Sequence, residues 1–280
     1  MHILIRSIFF SLIATTVLAQ HPCTTTTPPA ETVRINKLII ESSTLPEPDR
    51  KQLTHLFRQT SYSEPELRAG GIGAPDIEEH IRQALRDRGY FKAQASNVSF
   101  TPQPGSKAVD VTVKVEPGPQ YRLGEIRFEN ATVFSFNQLR QLIPIQEGDL
   151  FNATEFSKSI DALRNLYSTR GYVNMVLNPV PRIDESRHVI NLVLSVDEGK
   201  PYNFGQLYLE GVEPHAGAAE ALMASWKPLE GKPYNSLELQ KWFDANRSTW
   251  HAGPDRWQAI SPSEQFESRV VNITLKQPCW

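Results

Sequence analysis

Seven histidines, two cysteines and 31 acidic residues are the raw material for chemistry in this 280-residue chain. None of them falls into a spacing that a reaction needs. There is no His-Glu-x-x-His, no Cys-x-x-Cys, no Gly-x-Ser-x-Gly and no phosphate loop. His80 stands beside Glu78 and Glu79. Immediate neighbours on a helix point in different directions, so the trio reads as a solvated polar face. Gly70-Gly71-Ile72-Gly73 lacks the preceding strand and the Lys-Ser/Thr of a phosphate loop, and reads as a joint. The remaining Asp and Glu residues are unpatterned surface. No catalytic, cofactor-binding or metal residues are expected, and the chain does not read as an enzyme.

The residues that do recur at fixed spacing belong to the backbone. Arg88-Gly89-Tyr90 returns as Arg170-Gly171-Tyr172. Glu116-Pro117-Gly118-Pro119-Gln120-Tyr121 returns as Glu198-Gly199-Lys200-Pro201-Tyr202. Glu147-Gly148-Asp149-Leu150-Phe151-Asn152 returns as Glu230-Gly231-Lys232-Pro233-Tyr234-Asn235. The offsets from Gly89 to Gly171, from Gly118 to Gly199 and from Gly148 to Gly231 are nearly equal. Self-similarity at one period marks a structural unit repeated in tandem.

The elements that position these residues follow from periodicity. Val109, Val111, Val113 and Val115 alternate with Asp110, Thr112, Lys114 and Glu116. Ile190, Leu192, Leu194 and Val196 alternate with Asn191 and Ser195. A period of two marks a strand with one buried face. Each is the second strand of a hairpin, and a helix precedes each hairpin. Gly89 and Gly171 fall just past those helices, where a left-handed glycine satisfies the last carbonyls. Tyr90 and Tyr172 are read as opening the hairpins.

In chain order, residues 1–19 read as a cleaved export signal: Arg6, then an apolar run, then Val17-Leu18-Ala19. Residues 20–32 are a Thr/Pro linker. Unit one spans 33–118: a strand Val33–Ile40, a helix with Leu53, Leu56 and Phe57 on one side, and a helix with Ile77, Ile81, Ala84 and Leu85 inward. The hairpin from Ala93 to Glu116 closes it. Unit two spans 119–199, with a strand from Tyr121, a short helix Ser135–Ile143 and a longer one capped by Asn152. Unit three spans 200–280. Asn235 repeats the cap, Trp242 and Phe243 face inward, but His251-Ala252-Gly253-Pro254 replaces the Arg-Gly-Tyr junction, which leaves its hairpin in doubt. The fold class is therefore α+β: three small β-α-α-β-β domains in tandem, each a three-stranded mixed sheet covered on one face by two helices. The net charge of −2 gives nucleic acid no footing. Export permits a disulfide through Cys23 or Cys279. The tail after Cys23 reaches at most about 35 Å, so free or intermolecular thiols are favoured over a bridge within the chain.

This order, with its Gly89/Tyr90 and Gly171/Tyr172 junctions and Gly118/Tyr121 and Gly199/Tyr202 boundaries, resembles the polypeptide-transport-associated (POTRA) domain. The resemblance covers about residues 33 to 276, and no barrel strands follow within the sequence. It implies a periplasmic scaffold at the outer membrane whose partners are an outer-membrane barrel protein or an unfolded client polypeptide. It also implies that the first hairpin strand of each unit lies on a sheet edge, open to strand addition. Pro179 and Pro181 block that edge in unit two. Unit one is free of proline there, so Ala95, Ser96, Asn97, Val98, Ser99 and Phe100 are the expected client edge. All five tryptophans lie in unit three. Trp257 and Trp280 serve either as a partner surface or, as favoured here, as a cap on the terminal repeat. The alternative to client handling is a structural spacer or interaction module of an envelope complex.

Overall fold

The computed structural model describes residues 32–58, 61–63, 73–106, 108–210, 217–247, 249, 260–265 and 267–276. Unit one begins with β1 (Thr32–Glu41), α1 (Glu47–Arg58) and a three-residue β2 (Ser61–Ser63). It continues with α2 (Gly73–Arg86), β3 (Gln94–Pro102) and β4 (Ala108–Glu116). The sheet order is β2-β1-β4-β3, with β1 parallel to β4 and β3 antiparallel to it. The four alternating valines of β4 are all buried, as are Ile77, Ile81 and Leu85 of α2. Two expectations change here. The sheet gains a fourth strand, because β2 pairs with Thr32–Arg34 at the outer side of β1. Leu56 is 45% exposed, because α1 lays down a narrow stripe through Leu53 and Phe57, one helical turn apart.

Unit two comprises β5 (Arg122–Glu129), α3 (Phe136–Arg140), α4 (Ala153–Ser168), β6 (Val176–Asp184) and β7 (Val189–Asp197). Its order is β5-β7-β6. Ser135 and Gln138 close a reciprocal capping box on α3, which is shorter than the sequence suggests. Asn152 caps α4 from one side, its oxygen accepting from Glu155 N at 2.9 Å. Unit three repeats the plan with β8 (Asn203–Glu210), α5 (Ala218–Trp226), α6 (Ser236–Ala245), β9 (Ile260–Gln265) and β10 (Val270–Lys276), in the order β8-β10-β9. The hairpin is present although the Arg-Gly-Tyr junction is missing.

Among the described residues there are three hydrophobic cores, one per sheet. Each first strand carries one extra residue against its parallel partner. In β5 and β8 the bulge lies at Gly124 and Gly205, and an asparagine from the last strand serves it. Asn191 Oδ1 accepts from Glu125 N at 2.8 Å, and Asn272 Oδ1 from Gln206 N at 2.8 Å. In unit one the same register holds Asn36, whose amide donates to Asp110 at 2.7 Å.

The units meet through one repeated joint. Gly89 has φ +83° and Gly171 φ +84°. Each carbonyl accepts from the first tyrosine of the next unit: Tyr121 N at 2.7 Å and Tyr202 N at 2.9 Å. Tyr90 and Tyr172 do not open strands. Phe91 N and Val173 N turn back to the same glycine carbonyls, so a tight turn precedes β3 and β6. That turn sends Phe91 into the core of unit two and Val173 into the core of unit three.

Candidate functional site

The outer strands β3, β6 and β9 each pair, among the described residues, with one neighbour. On the other side of each, no strand pairs with it among the described residues, and three chemically different edges follow. On β6, Pro179 and Pro181 stand opposite Leu194 and Leu192. A proline fits an intact ladder where its nitrogen points outward, so two outward donors are missing. On β9, Pro262 stands opposite Ile273. On β3, the stretch Ala95–Phe100 contains no proline.

That stretch is not a continuous ladder, however. Ser96 pairs with Lys114 and Ser99 with Thr112, so one residue is extra, and Asn97 sits at φ +57°. A bulge adds twist and divides the edge. Gln94–Ser96 lies on one side and Ser99–Pro102 on the other. Ala95 faces Val115 and Phe100 faces Val111, the registers that Leu177 and Pro181 hold in unit two. Val98 and Phe100 both pack partly on the core of unit one.

The joints carry most of the polar side-chain contacts between units. At the first, Asp87 of unit one caps the start of α4: its carboxylate accepts from Thr154 N at 2.8 Å and Thr154 Oγ1 at 3.0 Å. A negative group at a helix N-terminus also meets the helix dipole favourably. On the other flank, Glu185 in the β6–β7 turn pairs with Lys92 of unit one and accepts from Tyr121 OH at 2.6 Å. The hydrogen bond from Lys92, then that from Tyr121, holds the Glu185 carboxyl below its ordinary value, and Lys92 is raised in turn. Phe91 meets Tyr121 and Phe151 edge-on, at 6.3 and 5.7 Å between centroids. The second joint is sparser. Ser168 Oγ donates to Ser236 Oγ at 2.7 Å and Asn174 to Tyr202 OH at 2.8 Å.

Glu198, which directly precedes Gly199 at the second boundary, turns back on its own unit. It accepts from Thr132 N and Oγ1, Val133 N and Tyr167 OH. Burial works against its charge, but these donors outweigh it and leave the carboxyl lowered. Its partner Tyr167 is raised by burial and by this bond. Gly118 and Gly199 follow β4 and β7 in the links to Tyr121 and Tyr202, both of which are buried. Among the described residues, no three His, Cys, Asp or Glu side chains gather where a metal ion could be held. No helix of these residues is long and apolar enough to cross a membrane. Trp257, Trp280, Cys23 and Cys279 lie outside the described residues.

Sequence reasoning missed Phe91, Asp87, Lys92, Glu185 and the Asn191/Asn272 pair. Two signals were present. Phe91 and Val173 follow the repeated Gly-Tyr at the same offset in both copies. Asn191 and Asn272 are separated by the same stretch of chain as Gly118 and Gly199.

Three tandem modules, each a mixed β-sheet with helices packed on it, define the class of fold. Residues 121–199 match the family model described as POTRA, surface antigen variable number repeat. The outer membrane protein assembly factor BamA of Buchnera aphidicola subsp. Acyrthosiphon pisum is 28% identical over 192 residues, covering 67% of this chain and 29% of that protein. BamA of Neisseria meningitidis serogroup B is 23% identical over 202 residues, covering 66% and 25%. The chain thus spans 25 to 29% of the length of these relatives. The crystal structure of Haemophilus influenzae BamA POTRA3-5 superposes with a TM-score of 0.64 at 19% identity, covering 89% of this chain and 97% of that one. That is a likeness of fold. Unit two is thus matched by the POTRA model, and the chain as a whole shares the fold of that three-repeat structure.

Proposed function

We propose that this chain is an exported, non-enzymatic scaffold at the periplasmic side of the outer membrane, with domains at 33–118, 119–199 and 200–280. It holds unfolded client segments, or a barrel partner, by strand addition to β3 of unit one. The similarity to BamA relatives supports the setting. The observation that carries the choice of edge is the contrast among outer strands: prolines in β6 and β9, none from Gln94 to Thr101. Main-chain hydrogen bonds accept many sequences, as a client binder requires. The bulge at Asn97 restricts the usable stretch to its flanks, Gln94–Ser96 and Ser99–Thr101, three residues each before Pro102 ends the strand.

Two substitutions at Phe100 test this. Phe100→Pro imports the residue that unit two carries at the same register. Phe100→Ala removes the ring but keeps the amide. Binding of an unfolded-barrel peptide, followed by fluorescence anisotropy, is expected to fall about tenfold in Phe100→Pro and to change little in Phe100→Ala, for the loss of about 1.4 kcal/mol of main-chain bonding. Equal affinities in two folded variants overturn the edge. A second reading, a spacer without client handling, draws on the dense first joint. It expects tight binding to one folded partner and none to unfolded peptides.

A further inference from the structure

A cleft of about 760 Å³ opens where unit one meets unit two. That lies within the range of pockets that enclose a sizeable ligand, about 300–1,000 Å³. Its floor is apolar: Phe91, Phe151, Phe156, Pro179, Pro181 and Leu192. Phe91 comes from unit one, so the site is incomplete in either unit alone. The three rings form a chain, Phe91 to Phe151 at 5.7 Å and Phe151 to Phe156 at 5.8 Å. Such an arrangement favours a further aromatic ring over an aliphatic group.

The rim decides the charge of the occupant. Arg86 is engaged by Glu79 at 3.1 Å, and Asp161 by Arg164 at 3.0 Å. Lys158, exposed on α4, has no carboxylate partner among the described residues. A ligand with a carboxylate next to its ring would supply one. The wall decides the mode of binding. Pro179 and Pro181 put two side chains into the cleft and take two donors off the adjoining edge. A segment lying there gains side-chain contacts and little ladder.

Resting on the reading of the chain as a client scaffold, we propose that this cleft captures extended polypeptide segments through an aromatic residue followed by an acidic one, without adding a strand. The chain then has two chemically distinct client sites. One reads main chain at β3, and the other reads side chains at the first joint.

The probe is a fluorescent Gly/Ser peptide with a central Phe-Asp, made with an ordinary and with an N-methylated backbone, and titrated against the whole chain. Both forms are expected to bind alike, and Phe100→Pro is expected to leave both unaffected. Phe156→Ser should weaken them about tenfold. Lys158→Glu, on the surface and harmless to the fold, should weaken them roughly threefold, and a Phe-Lys peptide should recover that loss. Failure of the N-methylated peptide alone, or of the charge swap, overturns the proposal. So does a dimer in sedimentation that Phe156→Ser dissolves, since a second copy would then fill the cleft. A chain that binds barrel peptide at β3 and ignores Phe-Asp peptide refutes the cleft alone. The reverse result refutes strand addition alone.

Discussion

Asn272 illustrates how a single side chain secures a unit. It is buried, and its oxygen serves the amide of Gln206 freed by the bulge in β8. Gly205 makes room for it, because a methyl group there would collide with that oxygen. Losing the acceptor leaves a part-buried donor without its partner, at a cost of about 1–3 kcal/mol. Asn272→Ala is therefore expected to lower the stability of unit three, read from its urea midpoint, by that amount. Asn272→Asp, which keeps the acceptor as Asp110 does in unit one, should lose less. Equal losses would mean that the packing of the side chain matters, and its hydrogen bond does not. Asn191 makes the same bond in unit two from a less buried position, so its removal should be milder because water can replace it.

Elements were legible in the sequence wherever a face is buried. The alternating valines of β4 and the Asn152 and Asn235 caps stand where periodicity and local hydrogen bonding put them. Such features are decided within a few residues of chain. What escaped depends on partners far away in sequence. Tyr90 reads as the start of a strand, but its hydroxyl donates to Asp49 at 2.7 Å, and the chain turns at Phe91. Burial and that bond push the Tyr90 hydroxyl up to about 12. The bulge at Asn97 was invisible because nothing in Ala95–Phe100 announces a mismatch with β4. The cleft was invisible because it needs Phe91 and Pro181 side by side. The caps offer a check at this scale. Asn235 Oδ1 accepts from Leu237 N at 2.9 Å and Glu238 N at 3.4 Å, and Asn235→Ala should cost about 1 kcal/mol. A smaller loss, measured by thermal unfolding, would show that packing of Trp242 alone fixes α6.

At the scale of the whole molecule, the two joints share a glycine but differ in what surrounds it. A side chain at Gly171 would meet Tyr202 O at 2.7 Å, and one at Gly89 would meet Tyr121 O at 2.9 Å, both at positive φ. Backbone therefore touches backbone at each joint. Around the first there are also the Asp87 cap on α4, the Lys92–Glu185–Tyr121 clasp and the Phe91 ring contacts. Around the second, the described residues show two neutral hydrogen bonds and the smaller Val173. The first joint should be the stiffer one. Spin labels placed in units one and two are expected to give a narrower distance distribution than labels in units two and three. The clasp also sets a pH dependence. Because Lys92 and Tyr121 lower the carboxyl of Glu185 in the folded chain, its contribution is complete above the ordinary carboxylate value of about 4.3. It is lost as pH falls through the lower, folded value. The first distribution should therefore stay narrow from neutral pH into the mildly acidic range and broaden below it. Glu185→Gln should leave it equally broad at every pH, matching the intact chain only at low pH. A first joint as loose as the second at neutral pH would mean that these side-chain contacts form without restraining the units, and the Phe91 cleft between them would then lose its fixed shape.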